Sequence, residues 1–172
     1  MHNEQVMVDL ETLDITPTAV ICSIGAVRFG IKDGEYIGLG AYYQAIMLED
    51  QTDRTTNKDT LMWWAKQSDE ARKCLYEKDI DLETGLRGFM AFAGDCPVWG
   101  NGSDFDNAIL ANACKKFGIK WDYKRNRDYR TLKSLCPTVV LKREGTYHNA
   151  YDDALSQTKH LVAILNALNI KL

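Results

Sequence analysis

Proline is nearly absent from this chain, three residues in 172, and glycine contributes only 12. So few breakers argue against a Pro/Gly-rich linker or a low-complexity tail. Long apolar runs are missing as well. The two longest uncharged stretches, Ile15–Val27 and Tyr36–Leu48, hold 13 residues each and include polar side chains, whereas a membrane-spanning helix needs roughly 20 apolar residues. The opening Met-His-Asn-Glu-Gln lacks the basic and apolar regions of a secretory leader. Paired cysteines are missing too. Cys22, Cys74, Cys96, Cys114 and Cys136 are odd in number, widely spaced and contain no C-x-x-C, which argues against a disulfide framework or a zinc ribbon. They read as reduced thiols, mostly in the core, with Cys114 the clearest case. The expectation is one soluble, cytoplasmic domain over residues 1–172 with no membrane partner.

A strong excess of charge of either sign is also lacking, since the net charge is −3. That average hides a patch. From Lys115 to Lys133 there are eight bases (Lys115, Lys116, Lys120, Lys124, Arg125, Arg127, Arg130, Lys133) against two acids, with Trp121, Tyr123 and Tyr129 interleaved. Cations for phosphates and rings for bases are what single-stranded nucleic acid needs. A solvated loop is the plainer reading of the same stretch.

Hydrophobic patterning outlines the fold. Val6–Leu10 and the Val/Ile-rich Ala19–Phe29 read as strands. Lys32-Asp33-Gly34 signals a tight turn, so Glu35–Met47 returns as a third strand. Asn57–Ala65, Ser68–Glu77 and Asp81–Ala93 read as helices, with Ser68 and Asp81 as N-caps. Pro97-Val98-Trp99 is a brief strand, and Ser103 or Asp104 caps a helix running to Phe117. A last helix spans Asp152–Leu168, with Leu155, Thr158, Leu161, Leu165 and Leu168 on one face. Meandering strands followed by helices and short strands predict a mixed α/β sheet.

Acids gather at the ends of these elements. Asp9-Leu10-Glu11 closes the first strand, where two acids one residue apart point the same way and can reach one cation. Asp33-Gly34-Glu35 and Asp81-Leu82-Glu83 share that spacing, but the first is a turn and the second a helix start. Asn101-Gly102-Ser103-Asp104-Phe105-Asp106 follows a strand and opens a helix, and His148-Asn149-Ala150-Tyr151-Asp152-Asp153 precedes the final one. Each puts an acid at the end of the sheet where α/β sites gather. Helix capping by Asp104 and Asp152 accounts for one acid at each place, not for the second acid or the histidine. Converging carboxylates call for cations, and oxygen ligands favour Mg²⁺ or Mn²⁺ over zinc.

The set Asp9-x-Glu11, Asn101-x-x-x-Phe105-Asp106 and His148-x-Ala150-x-x-Asp153-Ala154 resembles the three exonuclease motifs of the DEDDh 3′–5′ exonucleases. The order is right, and the match covers nearly the whole chain. The histidine subclass is indicated, because the tyrosine subclass would carry Tyr where this chain has Asn149. Leu13-Asp14-x-Thr16-Pro17-x-Ala19, Ser23-Ile24-Gly25-Ala26, Trp63-Trp64 and Arg127-Asp128-x-Arg130-Thr131-Leu132 resemble a narrower branch. That branch holds phage exonuclease A, exonuclease VIII-like proteins and a mycobacterial-type exoribonuclease. Many relatives have glycine after the first-motif threonine, where this chain has Leu13.

The resemblance implies an RNase H-like α/β fold, a mixed sheet of about five strands (three antiparallel, then parallel) flanked by helices. It implies two-metal hydrolysis of phosphodiesters, with two Mg²⁺ or Mn²⁺ ions held by Asp9, Glu11, Asp106 and Asp153. His148 would be the general base, moving into place from its loop when substrate binds. His2 and His160 are weaker rivals: one is near the terminus, the other mid-helix without an acid partner in sequence. Substrate contacts are expected from Thr12 and Leu13 at the terminal nucleotide, from Asn101 and Phe105 in the second motif, and from Arg127 and Arg130 on phosphates. Trp63 and Trp64 point about 100° apart on a helix, so one is core and the other a stacking platform, with Trp63 favoured for substrate. The expected substrate is a single-stranded DNA or RNA 3′ end, with DNA favoured by the phage-like resemblance. Relatives are often homodimers, which would let one basic stretch serve the other subunit's site. An RNase H-like endonuclease and a catalytically silent nucleic-acid-binding module are the competing readings.

Overall fold

Alternation along the first strand assigns both faces of the sheet. β1 (Gln5–Thr12) contributes Val6, Val8 and Leu10 to one apolar cluster and Met7 to another on the opposite face, the side to which Asp9 and Glu11 also belong. The protein is described by a computed structural model covering residues 4–77 and 80–172; His2 lies outside the described residues. β2 (Ile21–Lys32) and β3 (Glu35–Ala45) follow as an antiparallel meander, turning through Asp33 and Gly34, both at positive φ. β4 (Val98–Gly100) and β5 (Asn126–Asp128) add parallel to the other edge of β1, giving the order β3-β2-β1-β4-β5.

Helices cover both faces. α1 (Lys58–Trp64) and the four-residue α2 (Asp69–Arg72) lie between β3 and α3 (Leu82–Ala93). α3 and α4 (Asp106–Lys116) bury Leu86, Phe89, Ile109 and Leu110 against Val6, Val8 and Leu10. α5 (Tyr129–Leu135) and α6 (Ala150–Ala167) cover the other side, where Leu161, Ile164 and Leu165 meet Met7, Val27 and Phe29. Each such aliphatic side chain contributes about 1.5–3 kcal/mol on burial. Among the described residues no helix is long and apolar enough to cross a membrane. All five cysteines are buried and unpaired with one another by disulfide.

Several expected boundaries move, each for a local reason. Ser68 and Asp81 do cap, accepting from Ala71 and Thr84 N–H. The Ser68–Glu77 helix, however, gives way after Arg72 to a 3-10 turn over Lys73–Leu75. Neither Ser103 nor Asp104 caps α4, because the Ser103 N–H is drawn to Asp128 on β5 and the helix opens only at Asp106. Asn149 takes the N-cap of α6, leaving Asp152 inside the first turn to accept from the Thr146 N–H. The basic stretch is not a free aromatic-lined track. It supplies β5 and α5, Trp121 stacks on Phe89, Tyr129 is fully buried, and only Tyr123 of the three rings is exposed, at 73%.

α6 approaches the sheet closely at Gly25, which pairs with Asp9 across the β1–β2 ladder. A Cβ there would lie 2.1 Å from the Ala150 carbonyl carbon and 2.2 Å from the Tyr151 nitrogen. Gly25→Ala should therefore force α6 off the sheet and destabilise the protein by about 3 kcal/mol or more, read as a lower denaturant midpoint.

Candidate active site

Four elements deliver the site to one end of the sheet. β1 presents Asp9 and Glu11, the loop after β4 presents Asn101 and Phe105, α4 opens with Asp106, and α6 carries Asp153 in its first turns. The cleft between them measures about 520 Å³ and is also lined by Thr12, Ile15, Trp63, Arg143, His148 and Gln157.

The carboxylates are held differently. Gln157, one turn beyond Asp153 on α6, donates to Asp9 Oδ1 at 2.7 Å. Asp106 turns back from its helix and accepts backbone N–H groups from Leu10 at 3.1 Å and Asn101 at 2.8 Å. Asp153 accepts the His148 N–H at 3.0 Å on Oδ2 and pairs with Arg143 through Oδ1. Glu11 is buried within β1. One potential ligand atom each from Glu11, His148 and Asp153 lies within 4.8 Å of the others.

Crowded, poorly solvated carboxylates resist ionisation. Burial raises Asp9 well above the usual range, and the charges of Asp106 and Asp153 push it further. Glu11 is raised by burial and then by Asp9. Burial lifts Asp106 to about 7 against the opposing pull of its two backbone donors. Asp153 is raised by burial in spite of Arg143 and the His148 N–H. Such a set suits a divalent cation: oxygen donors whose negative charge costs free energy until a cation offsets it.

His148 stands at φ 62, a left-handed conformation uncommon for a side-chain-bearing residue. Its ring meets Trp63 and Tyr147 edge-on, with centroids 4.7 and 4.5 Å away. Partial burial lowers its pKa, so the ring stays neutral and able to accept a proton at neutral pH. His160 is a core histidine. Its Nε2 donates to the Val139 carbonyl at 2.7 Å, which leaves Nδ1 to accept from the Tyr129 hydroxyl at 2.6 Å.

The tryptophans divide as the helix geometry predicts. Trp64, 2% exposed, donates its indole N–H to the Thr12 carbonyl, while Trp63, 39% exposed, faces the cleft. Leu13 does not line the cleft; it packs with Val20, Cys22 and Trp64. Ile15 stands at the wall instead, 72% exposed on a loop held by Asp14 and by the hydroxyls of Thr16, Thr18 and Thr55. Arg127 lies away from the cleft, donating to the Lys124 and Asn126 carbonyls. Arg130 donates to the Asn101 carbonyl and lowers the Asp106 pKa by its charge.

Sequence reading missed Ile15, Arg143, Tyr147 and Gln157. Gln157 had a signal, since four residues beyond Asp153 places it on the same helix face. Arg143 had none.

The profile of a family described as the 3′–5′ exoribonuclease Rv2179c-like domain matches residues 4–165. Among solved structures, the cell-death related nuclease CRN-4 superposes with a TM-score of 0.66 at 11% identity, over 96% of this chain and 64% of that one. The nuclease domain of 3′hExo, described as a DEDDh family member and bound to rAMP, gives 0.65 at 13%, over 96% and 93%. A 3′-exonuclease described in the recognition of a histone mRNA stem-loop gives 0.65 at 11%, over 96% and 83%. These likenesses establish the RNase H-like fold. No curated protein sequence matches.

Glu11 makes its charge cost visible in stability. Its raised pKa means that the folded state binds a proton more tightly than the unfolded state, so stability falls as pH rises above the ordinary glutamate range. In chelator, Glu11→Gln should raise the melting temperature at pH 8, a gain that shrinks as pH falls toward that range. Thermal unfolding across pH reads this directly.

Proposed function

The chain belongs to the Rv2179c-like 3′–5′ exoribonuclease domain family, whose chemistry depends on divalent metal, and we propose that it removes nucleotides from the 3′ end of single-stranded nucleic acid, releasing nucleoside 5′-monophosphates. The observation that carries this reading is the convergence of Asp9, Glu11, Asp153 and His148 on one cleft, with Asp106 buried behind it and near enough for its charge to act on Asp9. Asp9, Glu11 and Asp153 would hold one Mg²⁺ or Mn²⁺ ion, and Asp9 with Asp106 a second. When bound, the two cations would supply charge stabilisation to both the attacking and the leaving oxygen of an in-line displacement. His148 takes the proton of the attacking water on a ring nitrogen that its lowered pKa keeps free. Trp63 stacks on a base, and Ile15 and Phe105 supply the apolar wall beside it. Thr12 and Asn101 meet the terminal nucleotide, and Arg130 meets a phosphate next to it.

RNA is the first substrate of choice, because the matching family is described as exoribonucleases. DNA, toward which the resemblance to phage enzymes points, is the second substrate to be tested. Five buried cysteines with no disulfide among them suit a reducing setting, and the reading takes the chain as one domain working there.

The test uses 5′-labelled single-stranded RNA and DNA with Mg²⁺, Mn²⁺ or chelator. A ladder shortening from the 3′ end, abolished by chelator and by Asp106→Ala, is expected, and the faster sugar identifies the substrate. His148→Ala should lower kcat by about 10²–10⁴. Trp63→Ala should weaken substrate binding by about 1–3 kcal/mol, seen as a higher KM. Intact RNA and DNA in every metal-containing lane would replace this reading with that of a binding module.

A further inference from the structure

One cation is already built into the acid cluster, and the backbone around it accounts for its position. Residues 143–146 are tied to α6: the Glu144 N–H donates to Ser156 Oγ at 2.9 Å, the Thr146 N–H donates to Asp152 Oδ2 at 2.7 Å, and Lys159 pairs with Glu144. Gly145, at φ +75, lets the strap pass so close that a Cβ would lie 2.3 Å from Asp152 Cγ. The strap is thus anchored to the same helix that carries Asp153. Arg143, at its start, pairs with Asp153 Oδ1 while its guanidinium lies 3.9 Å from the centroid of the Tyr147 ring.

We propose that Arg143 is the phosphate-binding cation of this cleft and that it competes with a divalent ion for Asp153. The inference rests on the metal-dependent exonuclease reading above. Asp153 has two oxygens, and Oδ2 is occupied by the His148 N–H. Oδ1 is the oxygen less engaged by backbone, and a guanidinium and a divalent ion held together on it would repel each other, so an ion bound there would displace Arg143.

Once displaced, the guanidinium cannot go far. The next residues of its strap are pinned to α6 through the Glu144 and Thr146 N–H groups, and the Tyr147 ring offers it a face beside the cleft. Among the described residues that line the cleft, Arg143 is the one lysine or arginine. A phosphodiester approaching four acids needs such a partner, and the planar fork of arginine matches two phosphate oxygens where lysine offers a point charge. Metal loading and phosphate binding are then coupled: the ion that takes Asp153 frees the group that holds the substrate.

Arg143→Met and Arg143→Lys test this in the full chain. Mn²⁺ is titrated calorimetrically without nucleic acid, and kcat and KM are measured on a short single-stranded RNA. Removing a charge-assisted partner of Asp153 should tighten Mn²⁺ binding by about tenfold in Arg143→Met. Its KM should rise by about tenfold or more while kcat changes less, with Arg143→Lys intermediate in KM. Mn²⁺ affinity that is unchanged or weaker in both variants overturns the competition, and an unchanged KM overturns the phosphate role. A purely structural strap would lower the melting temperature and kcat without tightening Mn²⁺. If the wild type binds Mn²⁺ but cleaves nothing, the exonuclease reading fails, while the Mn²⁺ comparison still decides the competition.

Discussion

The contact between the backbone of β2 and the start of α6 at Gly25 governs the geometry of everything around it. Gly25 pairs with Asp9 across the ladder, and the Ala150–Tyr151 peptide rests where a side chain would otherwise project. That approach brings Gln157 to Asp9, puts Asp153 within 4.8 Å of Glu11 and His148 at the level of their ligand atoms, and sets the strap carrying Arg143 over the cleft. The apolar face of α6, from Leu161 to Leu165, packs against the same sheet and holds the helix against the repulsion at its N-terminal end.

That repulsion is specific to the site. Away from the cleft, acids such as Asp81 and Asp128 accept from helix-start N–H groups and are held below the usual carboxylate range. In it and directly behind it, burial drives Asp9, Glu11, Asp153 and Asp106 the other way. Perturbed groups of this kind collect where chemistry is done. The histidine is shifted in the complementary direction, toward the neutral form, by partial burial. Carboxyls that resist ionisation and a histidine shifted toward its neutral form are two outcomes of one poorly solvated cleft.

A few adjacent residues are divided between core and cleft. Trp64 and Leu13 go inward and tie β1 to α1, while Trp63 and Ile15 stay at the wall. The basic stretch is divided in the same way. Tyr129 and Trp121 become packing, Arg127 caps local carbonyls, and Arg130 turns to Asn101 beside the site. A run of cations in sequence is thereby spread over different surfaces.

Patterning alone determined the three-stranded meander, the helices after it, the caps at Ser68 and Asp81, and the free cysteines, because each follows from neighbours a few residues apart. Strand alternation singled out the pair Asp9 and Glu11, and the resemblance of the motifs to the DEDDh exonucleases, not patterning, added Asp106, His148 and Asp153 to it. β5 was invisible, because Asn126-Arg127-Asp128 has no apolar residue and is a strand only through pairing with β4. The exchange of Leu13 for Ile15 depended on where β1 ends and Trp64 packs. The reach of Arg143 to Asp153 depended on a strap bound to α6. Tertiary structure decided these because each is a contact between segments whose approach is set by packing and not by local propensity.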